Sequence, residues 1–137
     1  MKIRNYHQSD KESVICLWKE IFKLEKYHNN PEVAINMKNR YNDDLFFIVE
    51  EDNQIIGSII AGFDGHRGWL YSLAVHPSYR RRGIGTSLVR KALNELERLG
   101  CLKVNLQIDS DNKSVIDFYK KNGFLVEERI SMGKILY

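Results

Sequence analysis

The sequence predicts a mixed α/β domain in which a mostly antiparallel sheet carries helices on both faces. The chain has 137 residues, enough for one domain, and 43% of them are apolar. Three apolar segments between residues 45 and 75 are separated by short polar turns, which is typical of an antiparallel meander. Amphipathic helices then alternate with apolar strands, as in a β-α-β unit, so we expect the sheet to be mixed.

The N-terminal half predicts one strand, two helices and the meander. Residues 2–6 form a short strand, and Ser9 with Glu12 is expected to form a capping box at the start of the first helix. Pro31 opens a second helix that runs to about Tyr41. The three meander strands are predicted at residues 45–49, 54–63 and 69–75.

The C-terminal half predicts two more helices and three more strands. A helix over residues 82–99 has one apolar side and ends at Gly100, a typical residue after a helix. Residues 103–109 alternate between apolar and polar side chains and predict a strand. A helix over residues 111–121 follows, and two closing strands are predicted at residues 124–130 and 132–136.

Composition narrows the classes of function. The net charge is only +3, whereas proteins that bind nucleic acids are usually more basic, so we expect neither a nucleic-acid nor a membrane partner. Cys16 and Cys101 form no C-x-x-C pattern, which predicts buried free thiols in a reducing cytoplasm. No segment is long and apolar enough to span a membrane, and we expect no metal site.

The segment from Leu73 to Thr86 reads LAVHPSYRRRGIGT and is the most informative part of the chain. It places a basic loop and two glycines, Gly83 and Gly85, between a strand and a helix. Glycine lets a ligand approach the backbone closely, and a helix N-terminus offers unpaired N–H groups to phosphate oxygens. The spacing fits neither a P-loop nor a dinucleotide-binding fingerprint.

A second motif lies between residues 112 and 124 and reads N-x-x-V-x-x-F-Y-x-K-x-G-F. Together with R-x-x-G-x-G at residues 80–85, it resembles the Gcn5-related N-acetyltransferase (GNAT) family. Six residues match the family's pattern in this second motif, and Val115 replaces its usual alanine; the matching residues are Asn112, Phe118, Tyr119, Lys121, Gly123 and Phe124. The element order is similar throughout, and residues 64–68 and 131–134 are similar to a small bacterial branch, the YpeA-type proteins.

The resemblance implies a GNAT fold of six to seven strands whose fourth and fifth strands splay apart. It implies acetyl-CoA as donor and a primary amine as acceptor, joined in one ternary complex without a metal. Asn112 would bind the pantetheine arm, and Tyr119 would contact the cofactor and act as general acid. Backbone groups of Leu73, Ala74 and Val75 would pair with the arm, and the loop would hold the pyrophosphate through Arg80, Arg81, Arg82, Gly83, Ile84, Gly85 and Thr86.

The general base is not assigned by the resemblance. Trp69 stands where some relatives place a glutamate, which leaves His66, Asp64, Tyr71 or a water chain as candidates, with Glu50 a weaker one. His66 is the candidate that we carry forward, because histidine titrates near neutral pH. The acceptor side would be shaped by the first two helices and the last hairpin.

Other interpretations of the same residues stay open. Tyr119 could instead be a core aromatic residue at helical spacing. Asn112 could be a helix cap, and the three arginines could lie on a solvated surface. Trp69 in place of glutamate motivates an alternative function, a non-catalytic acyl-CoA sensor. A third hypothesis is that the arginines bind a nucleic acid or another anionic partner. That hypothesis does not explain the two glycines or the second motif. The sequence fits a monomer or a homodimer.

Overall fold

A computed structural model describes all 137 residues, which form two compact units, Met1–Leu106 and Gln107–Tyr137. The first unit contains a five-stranded sheet whose spatial order follows the chain. Neighbouring strands are antiparallel up to the fourth, and the fifth pairs parallel to the fourth, so the predicted mixed sheet is confirmed. The strands are β1 Lys2–Asn5, β2 Phe46–Glu51, β3 Gln54–Phe63, β4 Gly68–Val75 and β5 Val104–Asn105.

Three helices belong to the first unit and one to the second: α1 Lys11–Ile21, α2 Pro31–Tyr41, α3 Ile84–Arg98 and α4 Lys113–Lys121. Helix α2 has the predicted bounds, with Pro31 in its first turn and Asn30 accepting the Val33 N–H at 3.2 Å. The predicted capping box at Ser9 and Glu12 is wrong. A short 3₁₀ turn, Gln8–Asp10, precedes α1 instead, and its Asp10 carboxylate accepts the His7 N–H at 2.8 Å.

Helices cover both faces of the sheet, as predicted. Adjacent residues of a strand point to opposite faces, and Phe46 and Phe47 of β2 show what lies on each. Phe46 belongs to a core cluster with Val14 and Trp18 of α1. The ring of Phe47 instead lies 5.6 Å from the ammonium of Lys91 in α3. Helix α3 buries one side along its whole length, formed by Ile84, Leu88, Val89, Ala92 and Leu96.

The last predicted strands are wrong. Strand β5 has two residues rather than seven, and residues 124–130 and 132–136 form no strand. Leu125 and Ile130 are 85% and 91% exposed. Alternating apolar residues predict which side chains share a face, but a strand exists only where a partner backbone accepts its hydrogen bonds. The sheet therefore has five strands instead of six to seven.

The cysteines are free, but the prediction that both are buried is wrong, because Cys16 lies on the exposed side of α1. Its neighbours Leu17 and Trp18 are the residues that face the core. No helix is long and apolar enough to cross a membrane. No three His, Cys, Asp or Glu side chains come together as metal ligands.

Candidate active site

Strand β4 contains a bulge at Ser72. Tyr71 lies opposite Ile60 of β3, whereas Ala74 lies opposite Ser58, so Ser72 and Leu73 together face the single residue Ile59. Ser72 has a φ of +53°, in the left-handed region that non-glycine residues rarely adopt. A bulge of this kind re-aims the backbone groups that follow it along the strand.

The bulge determines which backbone groups face the side where β5 ends. Before it, the Gly68 N–H points toward β5 and binds the Lys103 carbonyl at 2.9 Å. After it, the His76 N–H points toward β3 and binds the Ile56 carbonyl at 2.7 Å. Because alternate residues of a strand direct their backbone groups to opposite edges, Leu73 and Val75 point away from β3.

That edge of β4 has no partner strand. The last pair between β4 and β5 is Trp69 with Asn105, so β4 continues for six residues beyond it. The pairing of these two strands stops after two residues because β5 ends there, and their predicted divergence stays a prediction. We call the unpaired side of β4 from Leu70 to Val75 the open edge.

The loop between β4 and α3 ends in a helix start without a side-chain cap. Gly83 occupies the N-cap position at a φ of +76°, a conformation that favours glycine. The first hydrogen bond of the helix joins the Ser87 N–H to the Gly83 carbonyl at 3.0 Å. The N–H groups of Ile84 and Gly85 precede that bond, and they are the kind of donors that bind anions at helix N-termini.

The three arginines of this loop differ in their partners. Arg80 Nε donates to the Val75 carbonyl at 3.2 Å, so the side chain folds back over the end of β4. Arg81 has a φ of +63° and its exposed guanidinium makes no hydrogen bond or ion pair. Arg82 is held by Glu51 in a two-pronged ion pair. Arg80 and Arg81 therefore supply the charge that no carboxylate neutralises.

The second unit contains the other motif, on helix α4. Asn112 is its N-cap and accepts the Val115 N–H at 3.4 Å, so the interpretation of Asn112 as a helix cap holds. At the other end, the Phe124 N–H binds the Tyr119 carbonyl at 3.0 Å and the Gly123 N–H binds the Lys120 carbonyl at 3.1 Å. With Gly123 at a φ of +90°, this is a Schellman motif, which explains the final glycine and phenylalanine of the pattern.

Tyr119 is the buried residue of α4, with 6% of its surface exposed. Its ring meets those of Phe118 and Phe124 edge-on, at 5.0 and 5.3 Å between centroids. Burial disfavours the phenolate and raises the pKa of Tyr119 to about 12. The side chain is therefore a protonated hydrogen-bond donor at every physiological pH.

Comparisons with known proteins agree with both motifs. The sequence pattern of the Acetyltransferase (GNAT) family matches residues 11–124. An acetyltransferase of Pectobacterium atrosepticum is 40% identical over 136 residues, which cover 99% of this chain and 96% of that protein. An acetyltransferase of Yersinia pseudotuberculosis is 39% identical over the same coverage. The chain belongs to the GNAT family of acetyltransferases.

Solved structures show the same fold. The PaiA N-acetyltransferase of Thermoplasma acidophilum, solved in complex with coenzyme A, superposes with a TM-score of 0.79 at 25% identity, and the match covers 94% of this chain and 92% of that one. Ard1 of Thermoplasma volcanium superposes with a TM-score of 0.81 at 23% identity, over 92% of this chain and 83% of that one. The predicted GNAT fold class is thereby confirmed.

In this GNAT protein, two of the candidate bases are poorly suited to accept a proton. The Asp64 carboxylate accepts the backbone N–H groups of Arg67 and His66 at 2.7 and 2.8 Å, which lowers its pKa. Burial raises the pKa of Tyr71, so this phenol stays protonated. Glu50 is engaged by Arg4 at 2.9 Å.

His66 is exposed in the hairpin between β3 and β4. It lies at the opposite end of β4 from the arginine loop, separated by an eight-residue strand that is roughly 26 Å long at ~3.3 Å per residue. The structure does not bring His66 to Leu73 and Val75.

The sequence did not predict the bulge residue Ser72 or the residue that binds it, Ser58, whose hydroxyl donates to the Ser72 carbonyl at 3.0 Å. A serine in the middle of β3 looked like an ordinary strand residue, and nothing in the sequence marks Ser72 as left-handed. The only available signal was Ser58 itself, a lone polar residue inside the apolar segment of residues 55–61. A polar side chain that is buried in a strand needs a hydrogen-bond partner, so this serine indicates a buried polar contact between β3 and a neighbouring element.

Proposed function

We propose that this GNAT protein transfers an acetyl group from acetyl-CoA to a primary amine, which is a protein N-terminus, a lysine or a small amine. The whole chain would act as a single cytoplasmic acetyltransferase domain, with direct transfer inside a ternary complex. The observation that carries the donor assignment is the open edge of β4, which is followed, after the arginine loop, by the start of α3 without a side-chain cap.

The pantetheine arm of the donor contains two amides and is suited to pair with a strand edge. Leu73 offers an N–H and a carbonyl group there, and Val75 an N–H group, that no strand of the protein uses; the Val75 carbonyl already accepts a hydrogen bond from Arg80. An extended ligand that adds to a sheet edge gains main-chain hydrogen bonds in the same way as an added strand. Ala74 would contribute to the wall of this groove, since its side chain is buried.

The pyrophosphate would lie at the loop of residues 80–86. The N–H groups of Ile84 and Gly85 and the positive end of the α3 dipole favour an anion. Arg80 and Arg81 add positive charge close to the same backbone. The remaining members of this proposed set are Arg82, Gly83 and Thr86, and Asn112 is proposed to bind the arm through its amide.

The chemistry is attack of the neutral amine nitrogen on the thioester carbon. A C–N bond forms, the carbonyl oxygen becomes an oxyanion and the attacking nitrogen becomes positively charged. Collapse of that intermediate breaks the C–S bond, and the proton that the nitrogen loses passes through water to the departing sulfur, so that the CoA thiolate leaves the site as the thiol. We assign Tyr119 as the donor to the departing sulfur. Because the pKa of Tyr119 is about 12 and that of a thiol is about 8.5, full proton transfer to a free thiolate is uphill. The phenol therefore acts by hydrogen bonding while the C–S bond breaks.

The amine must lose a proton before or during attack, since free alkylammonium groups have pKa values near 10. We propose that His66 receives this proton through water. The low basicity of Asp64 and the protonated state of Tyr71 support this choice over those two residues. Replacing His66 with glutamine should then lower kcat/KM, and the loss should shrink at high pH, where the free amine is already neutral; steady-state kinetics across the pH range measure this.

The test is an assay of free CoA release with acetyl-CoA and a panel of N-terminal peptides, lysine peptides and small amines. Amine-dependent release, with acetylated product confirmed by mass spectrometry, supports the proposal. Tight acetyl-CoA binding without release for any amine would instead favour the acyl-CoA sensor. Absence of acetyl-CoA binding would contradict both.

A further inference from the structure

The bulge in β4 is held by a buried pair of hydrogen bonds that connects it to helix α1. The Ser58 hydroxyl donates to the Ser72 carbonyl at 3.0 Å and accepts the Trp18 indole N–H at 2.8 Å. Ser58 has no exposed surface, and Trp18 is 2% exposed. Neither bond belongs to the backbone ladder of β3 and β4, which continues on both sides of the bulge.

The direction of these bonds is fixed by chemistry. An indole N–H can only donate, so the Ser58 oxygen must act as acceptor toward Trp18. The single hydroxyl proton of Ser58 is then left for the Ser72 carbonyl. Trp18 thus sets the orientation of the hydroxyl that binds the bulge.

The bulge needs such support, because Ser72 is held in a left-handed conformation that is unfavourable for serine. A strand without the bulge would keep the alternation that begins at Gly68. Ser72 and Ala74 would then face the open edge in place of Leu73 and Val75. The hydrogen bond to Ser72 therefore controls which backbone groups the open edge presents.

We propose that Ser58 is a positioning residue for the acetyl donor and that Trp18 orients it. By fixing the bulge, Ser58 aims the N–H and carbonyl groups of Leu73 at the pantetheine arm and its thioester. This inference rests on the proposed function, because it assumes that acetyl-CoA lies along the open edge. It adds two residues, on α1 and β3, that do not touch the donor themselves.

The experiment compares Ser58→Ala with the wild type in three measurements. The Kd for acetyl-CoA should rise about tenfold, which corresponds to losing one hydrogen bond, and kcat should fall. The Kd for adenosine 3′,5′-bisphosphate, which lacks the pantetheine arm, should not change. In NMR spectra of Ser58→Ala, the indole N–H signal of Trp18 should shift while that of Trp69 stays unchanged. The backbone chemical shifts of Ser72 should change to values that no longer indicate a positive φ.

A Trp18→Phe variant separates positioning from packing, because it removes more core volume than Ser58→Ala but leaves the hydroxyl able to bind Ser72. The Kd for acetyl-CoA should therefore rise less in Trp18→Phe than in Ser58→Ala, but it should still rise, because the hydroxyl is no longer oriented by the indole; an unchanged Kd would remove Trp18 from the inference. The reverse order, or equal weakening of both ligands, would show that Ser58 acts only through stability and would overturn the inference.

Two further outcomes are also decisive. If the wild type binds acetyl-CoA and Ser58→Ala matches it in Kd and kcat, the inference is wrong and the proposed function stands. If the wild type binds no acetyl-CoA, the proposed function fails and the inference falls with it, whatever the NMR spectra show about the bulge.

Discussion

Arg82 directs its guanidinium at the Glu51 carboxylate, with nitrogen–oxygen distances of 2.9 and 3.0 Å. The same carboxylate binds the N-terminal ammonium of Met1 at 3.3 Å. Glu51, the last residue of β2, thus neutralises one of the three consecutive arginines of the loop. Its guanidinium carbon also lies 5.4 Å from the centre of the Tyr79 ring. The charge of this loop is therefore smaller than the sequence RRR indicates.

Removing the Glu51 charge should strengthen donor binding. We expect Glu51→Gln to lower the Kd for acetyl-CoA by about two- to fivefold at low salt, because Arg82 is then no longer neutralised and a single charge pair near the surface changes affinity only modestly. The gain should disappear at high salt, where exposed charges are screened. Calorimetric titrations at two salt concentrations measure this, with Glu97→Gln as a control far along α3. An unchanged Kd at low salt would mean that Arg82 is not near the bound phosphates.

Gly83 should be required for its backbone conformation. An added Cβ would meet no atom within 4 Å, so the cost of a substitution arises from the φ of +76° and not from a clash. We expect Gly83→Ala to lower the free energy of unfolding by about 1 kcal/mol, since alanine disfavours the left-handed region. Gly83→Asn should lower the free energy of unfolding by less, because asparagine tolerates the left-handed region better than alanine. Denaturant unfolding of both variants tests this, and equal stability of alanine variant and wild type would contradict it.

Tyr119→Phe should lower kcat and leave acetyl-CoA affinity nearly unchanged. The ring packing against Phe118 and Phe124 survives the loss of the hydroxyl, whereas the donor to the departing sulfur is removed. A hydrogen bond to a group that becomes charged is typically worth about 1.5–3 kcal/mol, so a loss of about 10- to 100-fold is expected. Steady-state kinetics measure the effect, with the exposed Tyr41 changed to phenylalanine as a control. An unchanged kcat would remove Tyr119 from the mechanism.

Asp10 should make stability depend on acidic pH. Hydrogen bonds from Arg4 at 2.8 and 2.9 Å lower the pKa of this carboxyl, with a further contribution from the His7 N–H. A lowered pKa stabilises the folded state above the unfolded value of about 3.9, and this contribution is lost as the pH falls through the folded value. Asp10→Asn should therefore cost about 1–3 kcal/mol at pH 7 and less at pH 3, which lies below the unfolded pKa.

Urea unfolding at both pH values measures the Asp10 contribution, and Asp117→Asn on the exposed side of α4 is the matched control. A cost that is the same at pH 3 as at pH 7 would show that the charge of Asp10 does not stabilise the fold.

Local chemistry explains which elements could be predicted from the sequence. Proline is favoured in the first turn of a helix in proteins generally. Helix α2 begins at Pro31 and has the predicted bounds. Strand β3 also has its predicted bounds, because turn residues flank a long apolar segment. The loop of residues 80–86 was found through two glycines and the strand before them, all of which are local features.

Pairing between distant segments explains what could not be predicted. Residues 103–109 alternate clearly, yet β5 ends at Asn105 because nothing pairs with the residues after it. The Ser72 bulge depends on a shift of one residue between β3 and β4, and no local pattern signals such a shift. The ion pair between Arg82 and Glu51 joins residues 31 positions apart, so the sequence could not show that one arginine is neutralised.

The central claim is that residues 80–86 and the open edge of β4 bind acetyl-CoA. Calorimetric titration of the purified protein with acetyl-CoA, beside a Gly85→Glu variant, tests it most directly. The account predicts micromolar binding that the variant abolishes, because the new carboxylate would place bulk and negative charge where the pyrophosphate binds. Binding that survives unchanged in Gly85→Glu would show that the phosphate site lies elsewhere, and no binding by the wild type would contradict the donor assignment itself.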